Sequence, residues 1–305
     1  MQLIYDMFES WPVWLYRGVK IPTTALFGSP TEIFVHDRGD SGNNGKTVLQ
    51  SLMEAVAGDY FKTLDEAMIT RRPPCPATPN HALMQLRGAR LLGMPETEQG
   101  ITIYASWLKK LADLATMWAG RNPHDTEARK FKIAATLCVC TNAKMLFTRM
   151  DGGMERRGVG CAWKKTFSAN PQGPNGRQAS PLNLKDPKVL MGFVPGYWFI
   201  MKAVYEVFYS VGHHATAGPL PQEMVEATAE LLCDELACII EEALNEDFIA
   251  APEGVKGLTY AKISAIVKAQ PTVQTCTKDV KMIDAVLERF LTRKTVKGCE
   301  QTPKQ

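Results

Sequence analysis

A glycine-rich turn between a short apolar stretch and an amphipathic segment carries the residues best suited to bind phosphate. Ile33 to His36 predicts a strand, and apolar residues from Val48 onward recur at helical spacing. Such a turn lets backbone N–H groups curl around phosphate at a helix N-terminus, while a lysine neutralises β- and γ-oxygens and a hydroxyl holds Mg²⁺. The residues predicted to bind ATP in this way are Gly42, Asn43, Asn44, Gly45, Lys46 and Thr47.

One position of this turn departs from the usual pattern of a phosphate-binding loop. The pattern places a glycine five residues before Gly45, where this chain has Asp40, with Gly39 just upstream. The alternative interpretation is a capped loop with an exposed lysine.

Three polar residues that follow predicted strands complete a possible catalytic set. Glu96 and Glu98 follow the weak strand 91–94 and point the same way on an extended segment. One of them, Glu96, would hold Mg²⁺ together with Thr47, and either could orient the attacking water. Asn142 follows the strongest strand, 133–141, at the edge where open α/β sheets bind ligands. The plainer alternatives are a solvated carboxylate pair and a turn asparagine.

The pair Arg156-Arg157 follows Asp151-Gly152-Gly153 and precedes a short apolar stretch. Arginine can offset the negative charge that develops on a transferred phosphate, also when a neighbouring subunit supplies it. An arginine pair taken alone is more often a surface feature.

The elements that must position these residues predict an α/β fold. Strands alternate with helices, among them a helix over 105–118, and a nearly continuous apolar run suits a central strand of a parallel sheet. We predict four segments: a flanking segment without clear period, a core, a linker or long loop rich in Asn, Pro, Gly and Ser, and a helical C-terminal module. Their predicted limits are 1–30, 31–167, 168–192 and 193–305.

Composition excludes several classes of protein. The 305 residues are 45% hydrophobic and 22% charged, which argues against global disorder, and no apolar run reaches about 18 residues, which argues against a membrane span. Eight scattered cysteines without a Cys-x-x-Cys pair, together with the lack of a secretory signal, predict core thiols and an intracellular protein.

Charge is unevenly distributed although the net charge is only +3. Residues 101–167 hold twelve Lys/Arg and five Asp/Glu, whereas residues 221–254 hold ten Asp/Glu and no Lys or Arg. A basic middle beside an acidic module suggests a local electrostatic footprint, whereas charge alone favours the interpretation as two solvated faces.

Several of these motifs together resemble the helicase part of poxvirus and giant-virus primase–helicases, which are superfamily 3 helicases of the AAA+ ATPases. The resemblance rests on the segment 40–47, on 86–96, on Lys109, on the spacing from Phe131 to Asn142, and above all on 151–167 with its Asp-Gly-Gly, Arg-Arg and Phe. It departs at 112–115, where the family has Gly-Gly-Asp, and after Asn142, where a proline is missing.

The resemblance implies an AAA+-like P-loop core, ATP hydrolysis with Mg²⁺ at the interfaces of a ring, most simply a homo-hexamer, and DNA helicase or translocase activity in viral-type replication. In relatives, a hairpin before the sensor strand holds the DNA backbone. The residues in that interval are Arg121, His124, Arg129, Lys130 and Lys132. A primase or other replication protein would be the partner, since this chain begins close to the phosphate loop.

Two other functions stay open from the sequence. A relative could keep the scaffold and bind nucleotide or DNA without turnover, which Asp40 and the missing Gly-Gly-Asp favour. A small-molecule kinase could use the same loop, and it would be monomeric and carry an arginine-bearing lid.

Overall fold

The computed structural model describes residues 5–8, 10–28, 30–39, 42–71, 80–94, 96, 102–148, 150–210 and 219–233, and beyond them 237, 239–240, 243–244, 260–276, 280, 283–284 and 286–288. The chain divides into two compact units, Met1–Leu232 and Cys233–Gln305. The residues of interest all lie in the first unit.

Eleven strands are found in the described part of the chain. They are β1 Phe34–Arg38, β2 Phe61–Thr63, β3 Leu91–Met94, β4 Thr102–Ile103, β5 Met117–Gly120, β6 Arg129–Lys132, β7 Thr136–Thr141, β8 Leu146–Phe147, β9 Gly158–Ala162, β10 Thr166–Ser168 and β11 Gly176–Gln178.

The described α-helices are mostly short. They are α1 Trp11–Val13, α2 Ile21–Phe27, α3 Lys46–Ala57, α4 Glu66–Thr70, α5 His81–Gln85, α6 Ala105–Ala112, α7 Gly152–Arg157, α8 Pro187–Met191, α9 Val194–Ser210, α10 Gln222–Leu232, α11 Tyr260–Ala269 and α12 Pro271–Cys276. A π-helix, Trp14–Lys20, joins α1 to α2, and a 3-10 turn, Gly58–Tyr60, follows α3.

Five parallel strands form the central sheet in the order β2-β3-β7-β1-β9. The chain leaves β1 toward the far edge of the sheet, returns through β3 and β7, and crosses β1 to reach β9. In open α/β sheets, such a reversal is where ligands bind, at the carboxyl ends of the strands, here that of β1. The predicted parallel sheet flanked by helices is confirmed.

Both faces of the sheet are covered. One hydrophobic cluster joins the N-terminal helices, α3 and α9 to one face, and a second joins α6, α7 and the β5–β6 pair to the other. All six residues of β7 are buried, including the free thiols Cys138 and Cys140, as the continuous apolar run predicted.

The predicted helix over 105–118 is wrong in its second half. Helix α6 ends at Ala112, because the Asp113 carboxylate accepts hydrogen bonds from the backbone N–H of Ala115 and the hydroxyl of Thr116. Such a local turn competes with helix continuation. Trp118 instead lies in β5, and its buried ring stacks on Trp107 at 5.6 Å between ring centroids. The strand predicted over 133–141 likewise begins only at Thr136.

Residues outside the predicted core also build the first unit. The N-terminal flanking segment, for which the sequence showed no period, forms the π-helix and contributes Val19 and Ile21 to the core. At the other end, α10 packs so closely on β9 that a Cβ on Gly160 would lie 2.3 Å from the carbonyl oxygen of Ala227. The predicted limits of the linker, 168–192, stay a prediction. The compact unit itself extends to Leu232.

No helix in the described part of the chain is both long enough and apolar enough to cross a membrane.

Candidate functional site

Two residues of the turn after β1 have a left-handed backbone conformation. Asn43 and Gly45 adopt left-handed φ angles of 58° and 91°. A Cβ on Gly45 would also lie 2.9 Å from Cγ of Met7, so both backbone conformation and space require glycine there. The turn is held on its other side by the backbone N–H of Phe167, which donates to the carbonyl of Asn43 at 2.9 Å.

The glycine that clears space for the lysine is Gly39. A Cβ at this position would lie 1.8 Å from Nδ2 of Asn44 and 2.6 Å from Nζ of Lys46. A Cβ on Gly42, in contrast, would have no heavy atom within 4 Å among the described residues. The close approach expected five residues before Gly45 thus occurs six residues before it, while Asp40 itself lies outside the described residues.

The side chains of Lys46 and Asn142 form a hydrogen bond next to the turn. Lys46 is the first residue of α3 and is only 5% exposed, and its Nζ donates to Oδ1 of Asn142 at 2.8 Å. Thr47, next in the helix, is exposed at the same end of the sheet. The structure therefore brings together the loop, its lysine and the asparagine that follows β7.

A buried histidine for which the sequence analysis predicts no role, His36, contacts the residue that precedes Asn142. His36 Nε2 lies 2.7 Å from Oγ1 of Thr141, whose hydroxyl donates to the carbonyl of Ala143. Burial lowers the pKa of His36 to about 3; the nearby Asp37 opposes this, and the cations of Arg38 and Lys46 reinforce it. The imidazole is therefore neutral at any working pH.

A buried ion pair supports β1 from the opposite face of the sheet. The Arg17 guanidinium contacts the Asp37 carboxylate through Nε at 2.9 Å and Nη2 at 2.5 Å, and both side chains are 1% exposed. Trp163 Nε1 also donates to Asp37, at 2.9 Å. The sequence offered no signal for this group, since Arg17 lies in the segment without period.

The predicted acids are only partly described. Glu96 is exposed and lies two residues beyond the end of β3, whose last residue, Met94, pairs with Val139 of β7. It therefore lies on the carboxyl side of the sheet, as the loop does. Glu98 lies outside the described residues. No group of three or more His, Cys, Asp or Glu side chains within the described ranges could hold a metal ion.

Thr47 and Glu96 nevertheless offer oxygen ligands suited to Mg²⁺. A hydroxyl and a carboxylate are hard donors, and protein-bound Mg²⁺ is commonly held by one or two such side chains together with waters and the substrate's phosphates. The donor chemistry therefore fits a magnesium ion that arrives with a nucleotide.

The arginine pair lies at the amino ends of the parallel strands, whereas the turn after β1 lies at their carboxyl ends. Gly158, the first residue of β9, pairs with Phe34, the first of β1, so the preceding Arg156 and Arg157 lie at the amino ends of these strands. Both contact the carboxylate of Glu32 at 3.6 Å. The length of β1, about 13 Å for five residues, separates them from the turn that follows β1.

The two arginines differ in accessibility. The side chain of Arg156 is 66% exposed, whereas that of Arg157 is 11% exposed and donates to the carbonyl of Gly153 at 3.3 Å. Their helix α7 is capped by Asp151, which accepts from Gly153 and Met154 and pairs with Lys109 at 2.6 Å. Lys109 and the segment 151–157, which are far apart in the sequence, thereby together hold helix α7 in place.

The basic interval before β7 is a two-stranded hairpin. Strands β5 and β6 pair antiparallel, with Trp118 opposite Phe131 on the buried face. Lys130 and Lys132 are exposed, and so are Arg129 and His124 in or near the connecting loop. Arg121 is partly buried and donates to the carbonyl of Asp125, so it organises the loop. The hairpin enters β7 from its amino end.

A pocket of about 250 Å³ opens beside the turn after β1. Asn43, Gly45 and Val48 form the side toward the loop and α3. The other side is mostly apolar and includes Met7, Phe167, Leu182 and Leu184. Sequence analysis missed this pocket, because part of its wall comes from the flanking segment and from the predicted linker.

Comparison with known proteins gives a distant similarity to a viral "Putative primase". No family model matches the chain. It is 26% identical over 180 residues to the "Putative primase C962R" of African swine fever virus isolates from a warthog in Namibia and a pig in Kenya, and 28% identical over 161 residues to that of the Badajoz strain. These matches cover 50–56% of this chain and 16–17% of the viral proteins, so the chain spans about a sixth of the curated relatives it matches.

Among solved structures, forms of the NrS-1 C-terminal region align with 81% of this chain and 53–54% of theirs, at 10% identity and TM-scores of 0.43 and 0.47.

Proposed function

We propose that this chain is a nucleoside triphosphatase of the superfamily 3, AAA+ type that uses ATP and Mg²⁺ to move along or unwind DNA during viral-type replication. The observation that carries the proposal is the contact between Lys46 and Asn142 under a left-handed glycine turn at the carboxyl end of β1. A lysine, helix N-terminus and amide at a sheet's switch point form a site for a triphosphate.

The chain's own residues would bind the nucleotide from three sides. Backbone amides of the turn and the ammonium of Lys46 would bind the β- and γ-phosphates, and Asn142 would contact the γ-phosphate. Thr47 and Glu96 would hold Mg²⁺, which supplies charge neutralisation between the β- and γ-oxygens. Glu96 or Glu98 would orient the attacking water. The apolar pocket beside Gly45 would take the base.

The position of the arginines supports action between subunits. Arg156 is exposed and lies at the edge opposite its own loop, so it could reach only the nucleotide of a neighbouring copy. A ring of copies, most simply a homo-hexamer, would place each Arg156 beside the next subunit's phosphates. Arg157, which is largely buried, would support α7.

The hairpin supports a DNA-facing role. Its outward side carries lysines and its inward side aromatic residues that anchor it to the core. Exposed lysine contacts with phosphate do not depend on sequence, as a translocating protein requires. The similarity to a viral primase supports an intracellular role in replication, with a primase or another replication protein as partner.

A direct test is the ATPase rate of the purified chain with and without single-stranded DNA, combined with mass measurement in the same buffer. We expect DNA-stimulated turnover that Lys46→Ala reduces about 100-fold or more, a loss in the range seen when one charge-stabilising donor is removed. Lys110→Ala, which changes an exposed lysine of α6, is the matched control and should leave turnover unchanged. Nucleotide binding without turnover in the wild type would favour the non-hydrolysing alternative instead.

A further inference from the structure

A buried hydrogen-bond chain flanks Asn142 on both sides. His36 Nε2 and Thr141 Oγ1 are 2.7 Å apart, and the Thr141 hydroxyl donates to the carbonyl of Ala143. A hydroxyl has a single hydrogen, so Thr141 must accept from the imidazole, which is therefore protonated at Nε2. Residues 141 and 143 are the immediate neighbours of Asn142, and these hydrogen bonds connect both of them to His36 of β1.

Asn142 needs such support because its own side chain is exposed. Its Oδ1 accepts from Lys46 at 2.8 Å, but packing does not restrict it as packing restricts a core residue. We propose that His36 and Thr141 are positioning residues that hold Asn142 against Lys46 and aim it at the γ-phosphate when nucleotide is bound. This role rests on the nucleotide-binding function proposed above.

The polar character of the pair distinguishes this role from simple packing. Both side chains are 2% exposed in a sheet whose other strand residues are largely apolar. The Nε2–H of His36 would lose its acceptor without the Thr141 hydroxyl, whereas that hydroxyl also donates to Ala143. Two apolar residues could fill the same space without any hydrogen bond. The pair instead specifies one conformation of the turn that carries Asn142.

The first experiment compares Thr141→Val, which keeps the shape but removes the hydroxyl, with Thr141→Ser, which keeps the hydroxyl. We expect Thr141→Val to lower kcat at least tenfold while the affinity for ATP stays within twofold, and Thr141→Ser to stay near the wild type. His36→Leu should behave like Thr141→Val, and His36→Gln, whose amide can donate in place of Nε2–H, should recover most of the rate.

A double-mutant cycle separates positioning from general destabilisation. In an Asn142→Ala background, Thr141→Val should cause no further loss of kcat, because the residue through which it acts is gone. A full additional loss, or an unchanged kcat for Thr141→Val alone, would overturn the proposal. Absence of turnover in the wild type would remove the proposed function and this role with it.

One readout does not depend on turnover. The His36 Nε2 proton should give a slowly exchanging imidazole signal in the NMR spectrum of the wild type, and Thr141→Val should abolish it. A wild-type imidazole without that proton would contradict the hydrogen-bond chain, whatever the enzymatic result.

Discussion

The central sheet differs in structure between the edge formed by the carboxyl ends of its parallel strands and the edge formed by their amino ends. At the carboxyl edge the polar groups are paired and, apart from the exposed Asn142, buried: Lys46 with Asn142, His36 with Thr141, and Asp37 one residue before the end of β1 with Arg17. At the amino edge Arg156 and the hairpin lysines face solvent, whereas Arg157 is largely buried. The first edge resembles a preorganised reaction site, and the second a surface that acts on another molecule.

This difference matters because buried and exposed charges serve different purposes. A buried polar group persists only when its partners are in place, so it fixes geometry. An exposed cation keeps its hydration and gains energy only when an anion arrives. The following predictions test this contrast, from the largest expected effect to the smallest.

Arg156→Ala should reduce turnover of the assembled protein by about 1,000-fold, the lower end of the contribution of an arginine finger. Its stability should be unchanged, since the side chain is 66% exposed. Arg157→Ala should instead lower the unfolding temperature. Mixing Arg156→Ala with Lys46→Ala subunits should restore part of the ATPase rate, because some interfaces then combine an intact loop with an intact arginine. No recovery on mixing would argue that Arg156 does not act between subunits.

Asp37→Ala should lower the free energy of unfolding by about 3–5 kcal/mol, because it leaves the Arg17 guanidinium buried without its counter-charge. The matched control is Glu230→Ala, which removes an ion-pair partner of Arg38, the next residue of β1. That pair is partly exposed, and its loss should cost less than about 1 kcal/mol. Urea unfolding of both variants measures the difference, and equal losses would contradict the contrast between buried and exposed pairs.

Stability should fall on acidification through His36. Its folded pKa of about 3 lies below the ordinary 6.5, so between these values the unfolded chain binds a proton that the folded chain excludes. Lowering the pH from 7 to 5 should therefore cost about 2 kcal/mol through this group. His36→Gln should lose that part of the pH dependence in urea unfolding. An unchanged pH profile would show that the imidazole is not buried and neutral.

The hairpin lysines should contribute least individually. Lys130→Ala and Lys132→Ala should each weaken single-stranded DNA binding several-fold and lower the slope of log affinity against log salt by about 0.7, equally for all sequences. Lys110→Ala is the control within the same basic region. A loss confined to particular sequences would indicate base recognition in place of phosphate contact.

The sequence predicted the parts of the site whose signal is local. The strand, turn and helix around Lys46, the buried run of β7 and the short strand β3 all follow from composition and period within about ten residues. The basic interval before β7 could be recognised from charge, but its hairpin could not. The hairpin forms because helix α6 ends before Trp118, and the end of the helix depends on the hydrogen bonds of one side chain, Asp113.

The supporting contacts could not be predicted because they join distant residues. His36 and Thr141 are 105 positions apart. Arg17 and Asp37 are 20 positions apart, and Arg17 lies in a π-helix for which the sequence shows no amphipathic period. Gly39 shows the same limit. Its role is defined by the position of the Lys46 ammonium in space, and sequence spacing alone favoured the neighbouring Asp40.

Isothermal titration with ATP, ADP and AMP in the presence of Mg²⁺ tests the central claim most directly, namely that the turn after β1 binds a polyphosphate. We expect ATP and ADP to bind at least 100-fold more tightly than AMP, and Lys46→Ala to remove this preference while Lys110→Ala retains it. Equal affinity for AMP and ATP, or an unchanged preference in Lys46→Ala, would contradict the account.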